Sequence, residues 1–368
     1  MPRIGLPLRG LSALRRAILA LALPMLLAGC DMVVMNPMGD VAVQQRNLVI
    51  FATFLMLLIV IPVIALVGIF AWKYRASNRE ARYEPDWDHS TQLELVIWAA
   101  PLLIVICLGA VTWTGTHLLD PYRPIGRIDK GKPVPADAKP LEVQVVSLDW
   151  KWLFIYPEYG FATVNELAAP VDRPIKFRLT SSSVMNAFYV PTLAGMIYTM
   201  PSMETTLHAV INHPGNYAGF SSNYSGAGFS GMRFRFYGMN DADFAGWVAR
   251  NRASGVALSR ANYMTLEKPT EKAPVMRFGT VAPGLFDAVV NRCVAPGTVC
   301  MSQMMTMNGA DASAMKDRAG HALPPGPTPQ SPLTTSEAGG PPPANPAAID
   351  QRSPSAPGAS NIPNKRPL

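Results

Sequence analysis

The chain has 368 residues, of which 49% are hydrophobic and 15% charged, with 35 prolines and a formal net charge of +7. This balance excludes both an ordinary soluble globule and a chain wholly embedded in a membrane. It fits membrane spans joined to a soluble part.

Residues 1–29 read as a targeting segment, with Arg3, Arg9, Arg15 and Arg16 ahead of an apolar run, Ala17 to Leu27, that is too short to span a bilayer. It ends in Leu27-Ala-Gly-Cys30, which resembles the lipobox of bacterial lipoproteins. That resemblance implies a diacylglycerol on Cys30, cleavage before it, and retention in the inner membrane through Asp31. Residues 30–46 then form a short periplasmic segment.

A span is expected over residues 47–72, which carry no charge between Arg46 and Lys73. At 1.5 Å per residue it reaches about 39 Å, enough for a hydrocarbon core of about 30 Å with some tilt. Lys73, Arg75, Arg79 and Arg82 follow at once, so the connection 73–92 is cytoplasmic by its positive charge. A second span is expected over 93–115, with Trp98 and Trp113 as interfacial aromatics. Thr91-Gln-Leu-Glu94 before it has the capping-box pattern. Cys107, mid-span, reads as a packed small hydrophobe.

Residues 116–140 form a proline- and charge-rich linker. From Leu141 the period changes to two, in Leu141-Glu-Val-Gln-Val-Val-Ser, Ile175-Lys-Phe-Arg-Leu, Leu207-His-Ala-Val-Ile and Met232-Arg-Phe-Arg-Phe. Short strands separated by proline and glycine turns over 141–240 predict a β-sandwich. Trp150 and Trp152 are expected on one strand face, as packing residues. His208 and His213, five apart, do not share a strand face and read as packed or solvated. Gly226, Gly228 and Gly231 lack the lysine of a phosphate-binding loop and read as loop formers.

Residues 241–307 read as a helical arm: Asp241 as cap of a helix to Arg252 that shows Phe244, Trp247 and Val248 on one face, then weaker patterns near 260–268 and 284–292. Cys293 and Cys300 sit in an oxidising compartment by this topology and are expected to pair. The soft sulfurs of Met301, Met304, Met305 and Met307 could hold Cu(I), against the commoner case of a flexible, mildly apolar segment. Residues 308–368, rich in Pro, Ala, Gly and Ser, cannot bury enough surface to offset ordering entropy and are expected to be disordered.

The stretch Ser221-Ser-Asn-Tyr-Ser-Gly-Ala-Gly-Phe-Ser-Gly-Met232 has the frame of a metal-binding loop and almost none of the ligands. Its spacing resembles the C-x-E-x-C-G-x-x-H-x-x-M loop of the two-copper centre in subunit II of the haem–copper respiratory oxidases. In that register Ser221 and Ser225 take the cysteine positions, Asn223 the glutamate and Phe229 the histidine. Asn186, in Val184-Met-Asn-Ala-Phe-Tyr-Val-Pro191, takes the upstream histidine position, and Met232 alone is retained. Hydroxyls, amides and one thioether do not replace the thiolates and imidazoles that copper needs.

The resemblance, from about Cys30 to Met307, therefore implies the branch without that centre, the quinol oxidases of cytochrome bo type. It implies a membrane-anchored α+β chain: a lipoprotein N-terminus, two transmembrane helices, a periplasmic cupredoxin-like Greek-key sandwich and a helical arm lying on subunit I. It also implies that this chain holds no cofactor, and that haems, copper and the main quinol site belong to subunit I. Smaller membrane subunits complete the complex. Leu93-Glu-Leu-Val-Ile-Trp98 with Pro101 resembles a stretch whose glutamate lies at a proton-uptake mouth, so Glu94 is a candidate for proton entry as well as a cap. The aromatic stretch Asp149 to Pro157 matches one that passes electrons to copper in copper-bearing relatives, and here it has no acceptor.

Residues 117–308 carry 18 lysines and arginines against 14 aspartates and glutamates, a formal +4. A positive domain tends to repel basic cytochrome c, which agrees with a quinol donor. No nucleic-acid partner is expected. Two other functions fit less well: a cytochrome c oxidase subunit II with a degenerate copper site, and a lipoprotein that binds a partner or assists assembly through a copper-less domain.

Overall fold

A computed structural model describes residues 32–82 and 85–306. The expected signal segment, Cys30, Asp31, Met307 and the tail lie outside the described residues.

Helix α1 runs Asp40–Lys73 and α2 Thr91–Leu118, both longer than the expected spans. At 1.5 Å per residue α1 is about 51 Å long, more than a hydrocarbon core requires. Its extra N-terminal turns are not in the span at all: Asp40, Val41 and Ala42 are buried at the foot of the sandwich. Most of the remaining helical surface is exposed, including Cys107, which is not packed as expected. The two helices touch near one end, where a side chain on Gly115 would meet Leu48 at 2.3 Å. The α2 cap also differs from expectation. Ser90 is the N-cap residue, no side chain bonds there, and Thr91 is already helical, so the capping box is not formed.

A small hairpin in the linker pairs β1 (Arg127–Asp129) with β2 (Lys132–Pro133). The strands that follow are β3 (Leu141–Leu148), β4 (Lys151–Tyr156), β5 (Phe161–Val164), β6 (Glu166–Pro170) and β7 (Ile175–Ser181). They continue with β8 (Asn186–Tyr189), β9 (Ile197–Thr199), β10 (Thr205–Ala209), β11 (Gly215–Ser221) and β12 (Arg233–Met239). The arm contributes β13 (Ala257–Leu258), β14 (Met276–Phe278) and β15 (Thr280–Val281), with helices α3 (Asp241–Arg252), α4 (Arg260–Glu267) and α5 (Leu285–Val290).

Two sheets form the sandwich, one in the order β10-β7-β3-β4-β5-β14 and the other β6-β12-β11-β8-β9. The β3–β7 and β6–β12 pairs are parallel and the rest antiparallel. Between the sheets lie Val143, Val145, Trp152, Phe154, Phe177, Phe188, Phe234 and Phe236. A second core sits on the outer face of the six-stranded sheet, where Val146, Leu148, Leu153 and Ile155 meet Tyr263, Leu266, Phe286 and Val289 of the arm. The alternation that marks Leu141–Gln144 therefore fades from Val145 onward, and β4 is buried along its whole length. A strand covered on both faces loses its polar positions.

The arm thus packs one apolar side on the sandwich itself. Phe244, Trp247 and Val248 of α3 are buried as expected, but the cap is Asn240, whose side chain accepts from the Asp243 N–H, and not Asp241. The disulfide Cys293–Cys300 closes the arm at its end.

Glu166 ties arm to sandwich. Its buried carboxylate accepts from Trp247 Nε1 at 2.9 Å and from Arg277 Nη2 at 2.7 Å. Removing the cation strands a buried charge, whereas removing the carboxylate leaves only one N–H and an exposed guanidinium to resolvate. Arg277→Ala is therefore expected to cost about 3 kcal/mol and Glu166→Gln less, compared by chemical denaturation of the full chain in detergent.

Candidate functional site

The loop between β11 and β12 leaves the sheet at Ser221, which pairs with Phe188 of β8 and is 3% exposed. Asn186, at the start of β8, is also buried. Ser221 Oγ lies 3.1 Å from Asn186 Oδ1, as donor, and 3.2 Å from the Asn223 carbonyl, while the Ala187 N–H points at the same hydroxyl from 3.4 Å. Asn186 Nδ2 donates to the Val184 carbonyl and Asn223 Nδ2 to the Met185 carbonyl. Three of the positions expected from the metal-loop register, 186, 221 and 223, are thus brought together. They are joined by hydrogen bonds between side chains and backbone.

The other three part company. Ser225 Oγ is buried with no hydrogen-bond partner among the described residues. Phe229, in a 3₁₀ turn over Phe229–Gly231, is half-buried and meets the Tyr224 ring edge-on at 5.6 Å. Met232 is 1% exposed and packs into the inter-sheet core, which also holds Trp152, Phe188 and Phe234. The described residues contain no group of three or more His, Cys, Asp or Glu side chains placed to hold a metal.

Trp150 closes the loop from the other sheet. It is not on a strand face with Trp152: at φ +65° it occupies the turn between β3 and β4, and its indole N–H donates to the Ser225 carbonyl at 2.9 Å. Trp152, by contrast, is fully buried, edge-on to Phe188 at 5.5 Å and to Phe234 at 5.8 Å. The two glycines opposite Trp150 serve different needs. Gly226 has φ +108°, a conformation that disfavours a side chain. Gly228 has an ordinary φ of −85°, yet a Cβ there would lie 2.4 Å from the Trp150 ring. Glycine at 228 makes room for a tryptophan, which the glycine spacing alone did not reveal.

Of the two sandwich histidines, His213 lies in the loop after β10 and offers only its carbonyl, to Tyr217 Oη. His208, in β10, clips the linker to the sandwich. Its backbone N–H and its Nδ1 both reach the Pro121 carbonyl at 3.1 Å, which fixes Nδ1 as the protonated nitrogen. Burial pushes the His208 pKa below its ordinary value, with nearby Lys176 acting the same way and the Pro121 bond opposing. Glu94 stands exposed in the first turn of α2, on the side of the cytoplasmic connection by the sequence topology. Met304 and Met305 are exposed beside the disulfide, in the helical stretch that starts at Met301.

Two predictions follow from this geometry. Gly228→Ala should displace the Trp150 ring and lower stability by about 2 kcal/mol, as overpacking does, seen as a changed tryptophan emission and a lower denaturation midpoint. The depressed His208 pKa means that the unfolded chain binds more protons as pH falls below the histidine reference value of about 6.5. Stability from this group is complete above that value and is lost as pH drops toward the folded pKa. His208→Gln should therefore flatten the fall in melting temperature between about pH 7 and pH 5.

The COX Aromatic Rich Motif family matches residues 252–297, within the arm. The cytochrome bo(3) ubiquinol oxidase subunit 2 of Pseudomonas aeruginosa is 49% identical over 274 residues, covering 74% of this chain and 80% of its own. The ubiquinol oxidase subunit 2 of Acetobacter aceti is 44% identical over 80% of this chain and 92% of its own. Among solved structures, the periplasmic domain of subunit II of cytochrome oxidase from Bradyrhizobium japonicum is similar over 30% of this chain and 91% of its own, at 23% identity and a TM-score of 0.29. With identity at that level along most of both sequences, the chain belongs to the ubiquinol oxidase subunit 2 family.

Proposed function

We propose that this chain is the membrane-anchored subunit 2 of a proton-pumping ubiquinol oxidase of the aerobic respiratory chain, and that it carries no redox cofactor. In this reading ubiquinol is oxidised and oxygen reduced to water in subunit I, which holds the haems and copper. The present chain is required without being catalytic. It supports the exported face of subunit I, with smaller membrane subunits completing the complex. The sandwich takes the role of a cupredoxin-like Greek-key domain in the periplasm, and Cys30 carries the lipid anchor on the inner membrane.

One observation carries the proposal: the positions of the metal-loop register hold Ser221, Asn223, Ser225, Phe229 and Asn186, of which three bond to one another or to backbone. A serine hydroxyl and a carboxamide are hard, weak ligands toward copper, and a phenyl ring is none. An electron arriving at the loop from cytochrome c would find no acceptor. Electrons must then enter elsewhere in the complex, as they do when the donor is a lipid-soluble quinol.

Glu94 is assigned a role in proton entry. It is an exposed carboxylate at the start of a span, where an ionisable group can collect protons from the aqueous side. The absence of a cap bond at Ser90 frees this reading from the structural one, since Glu94 is not needed to close the helix start.

The test is purification of the complex from membranes, with its optical spectrum and its rate on quinol against reduced cytochrome c. Stoichiometric co-purification with a multi-span haem protein and turnover on quinol alone are expected. Turnover on cytochrome c, or copper in the soluble part of this chain, would overturn the reading. Glu94→Ala is expected to slow quinol oxidase turnover by up to about tenfold, the lower range of electrostatic focusing effects, with the haem spectrum unchanged.

A further inference from the structure

Two adjoining cavities lie where α1, α2 and the linker meet. The upper one, about 420 Å³, is bounded by the linker turn and the sandwich, and includes Asp120, Arg123 and Arg127. The lower one, about 520 Å³, is an open groove between the helices, walled by Leu48, Ala110 and Val111 and topped by Asn47. Gln44, Leu118, Leu119 and Arg127 line both, so the two form one channel. Its polarity changes along its length, from charged at the linker to apolar between the helices.

The change falls at the height where a bilayer changes in the same sense. Asn47 begins the uncharged run of α1, and Trp113 of α2, 71% exposed, stands near the same level as an interfacial aromatic. Above that level the charges are arranged in two classes. Asp40, 3% exposed, has both oxygens engaged, by Arg127 Nε at 2.8 Å and Nη2 at 3.0 Å and by Gln44 Nε2 at 2.7 Å. Its charge is used internally, and Arg127 keeps Nη1 outside the pair. Arg123 has a single long bond, 3.4 Å, to the His117 carbonyl. It shares a tight turn with Asp120, whose carbonyl accepts from the Arg123 N–H at 3.1 Å. The upper cavity therefore has two guanidinium groups and two carboxylates on its lining: Asp40 is spent on Arg127 and Gln44, and Asp120 accepts the Tyr122 N–H at 3.0 Å through Oδ1.

We propose that this channel binds one phospholipid bearing both a phosphate and an ammonium group. An acyl chain lies along the groove at Leu48 and Val111, the phosphate between Arg123 and Arg127, and the ammonium at Asp120. Guanidinium is suited to phosphate because its fork matches the oxygens, and a carboxylate alongside favours an amine-bearing headgroup over an anionic one. A free phosphate would need only the upper cavity and would leave the groove unfilled. The lipid would splint the two helices at the end where they separate from the sandwich.

The experiment uses the full chain in mild detergent, alone or in whatever complex it purifies with, stripped of lipid and then offered nanodisc-derived phosphatidylethanolamine or phosphatidylglycerol. Native mass spectrometry counts the lipids retained. One phosphatidylethanolamine is expected on the unaltered protein, none on Val111→Trp, which fills the groove, and about tenfold weaker retention on Arg123→Ala, the loss of one charge-assisted contact. Arg123 is exposed, so that variant stays informative should Val111→Trp misfold. Equal retention by all three proteins overturns the proposal, as does stronger retention of phosphatidylglycerol, or inorganic phosphate competing the lipid away.

Discussion

A long irregular loop must be held by something, and here a few hydrogen bonds and one indole hold it. Ordering each residue of such a segment costs on the order of 1–2 kcal/mol of backbone entropy. In a metal-bearing loop the ligand bonds offset that cost. In this chain the Ser221–Asn186 contact fixes one end, Asn223 ties the middle to the Met185 carbonyl just ahead of β8, and Trp150 presses on the far side. Ser221 and Asn186 are buried and hydrogen-bonded, which is the condition for such a network to rigidify instead of destabilise. The sandwich beneath is continuous with the loop because Met232 belongs to the inter-sheet core, which also holds Trp152, Phe188 and Phe234.

The arm follows the same logic of support by packing. Its helices cover the outer face of the six-stranded sheet and give β3 and β4 two buried faces. The sandwich then has two cores, and Glu166, reached by Trp247 and Arg277, is the polar joint between them. These contacts stabilise the shape of the exported part of the chain.

Much of this was legible from residue order. The spans, the change of period at Leu141, the strand positions and the face of α3 follow from hydropathy and spacing, because each is set by local burial. Two of the misses, Trp150 and the end of the β3 alternation, depended on partners remote in sequence, and the two helix starts missed by one position. Trp150 looks like a strand residue until Gly226 and Gly228, some seventy-five residues on, are seen to accommodate it. Thr91 and Glu94 have a capping-box spacing, but the helix begins one residue early and leaves the box unformed. Asp241 lost the cap to Asn240 by a single position, within the ordinary uncertainty of helix ends. The alternation in β3 stops where the arm, remote in sequence, covers it.

The backbone just before α1 is not a free leash. Met38 and Gly39 donate to the Thr192 carbonyl, Asn212 donates to the Met38 carbonyl, and Gly39 passes so near Val210 that a methyl group would sit 2.4 Å from its oxygen. The linker after α2 is clipped separately through Pro121 and His208. A body tethered at one point swivels, whereas one bolted at two points keeps its heading. The sandwich is thereby denied rotation about either span, so whichever surface it turns toward a neighbour is chosen at folding and not by later diffusion.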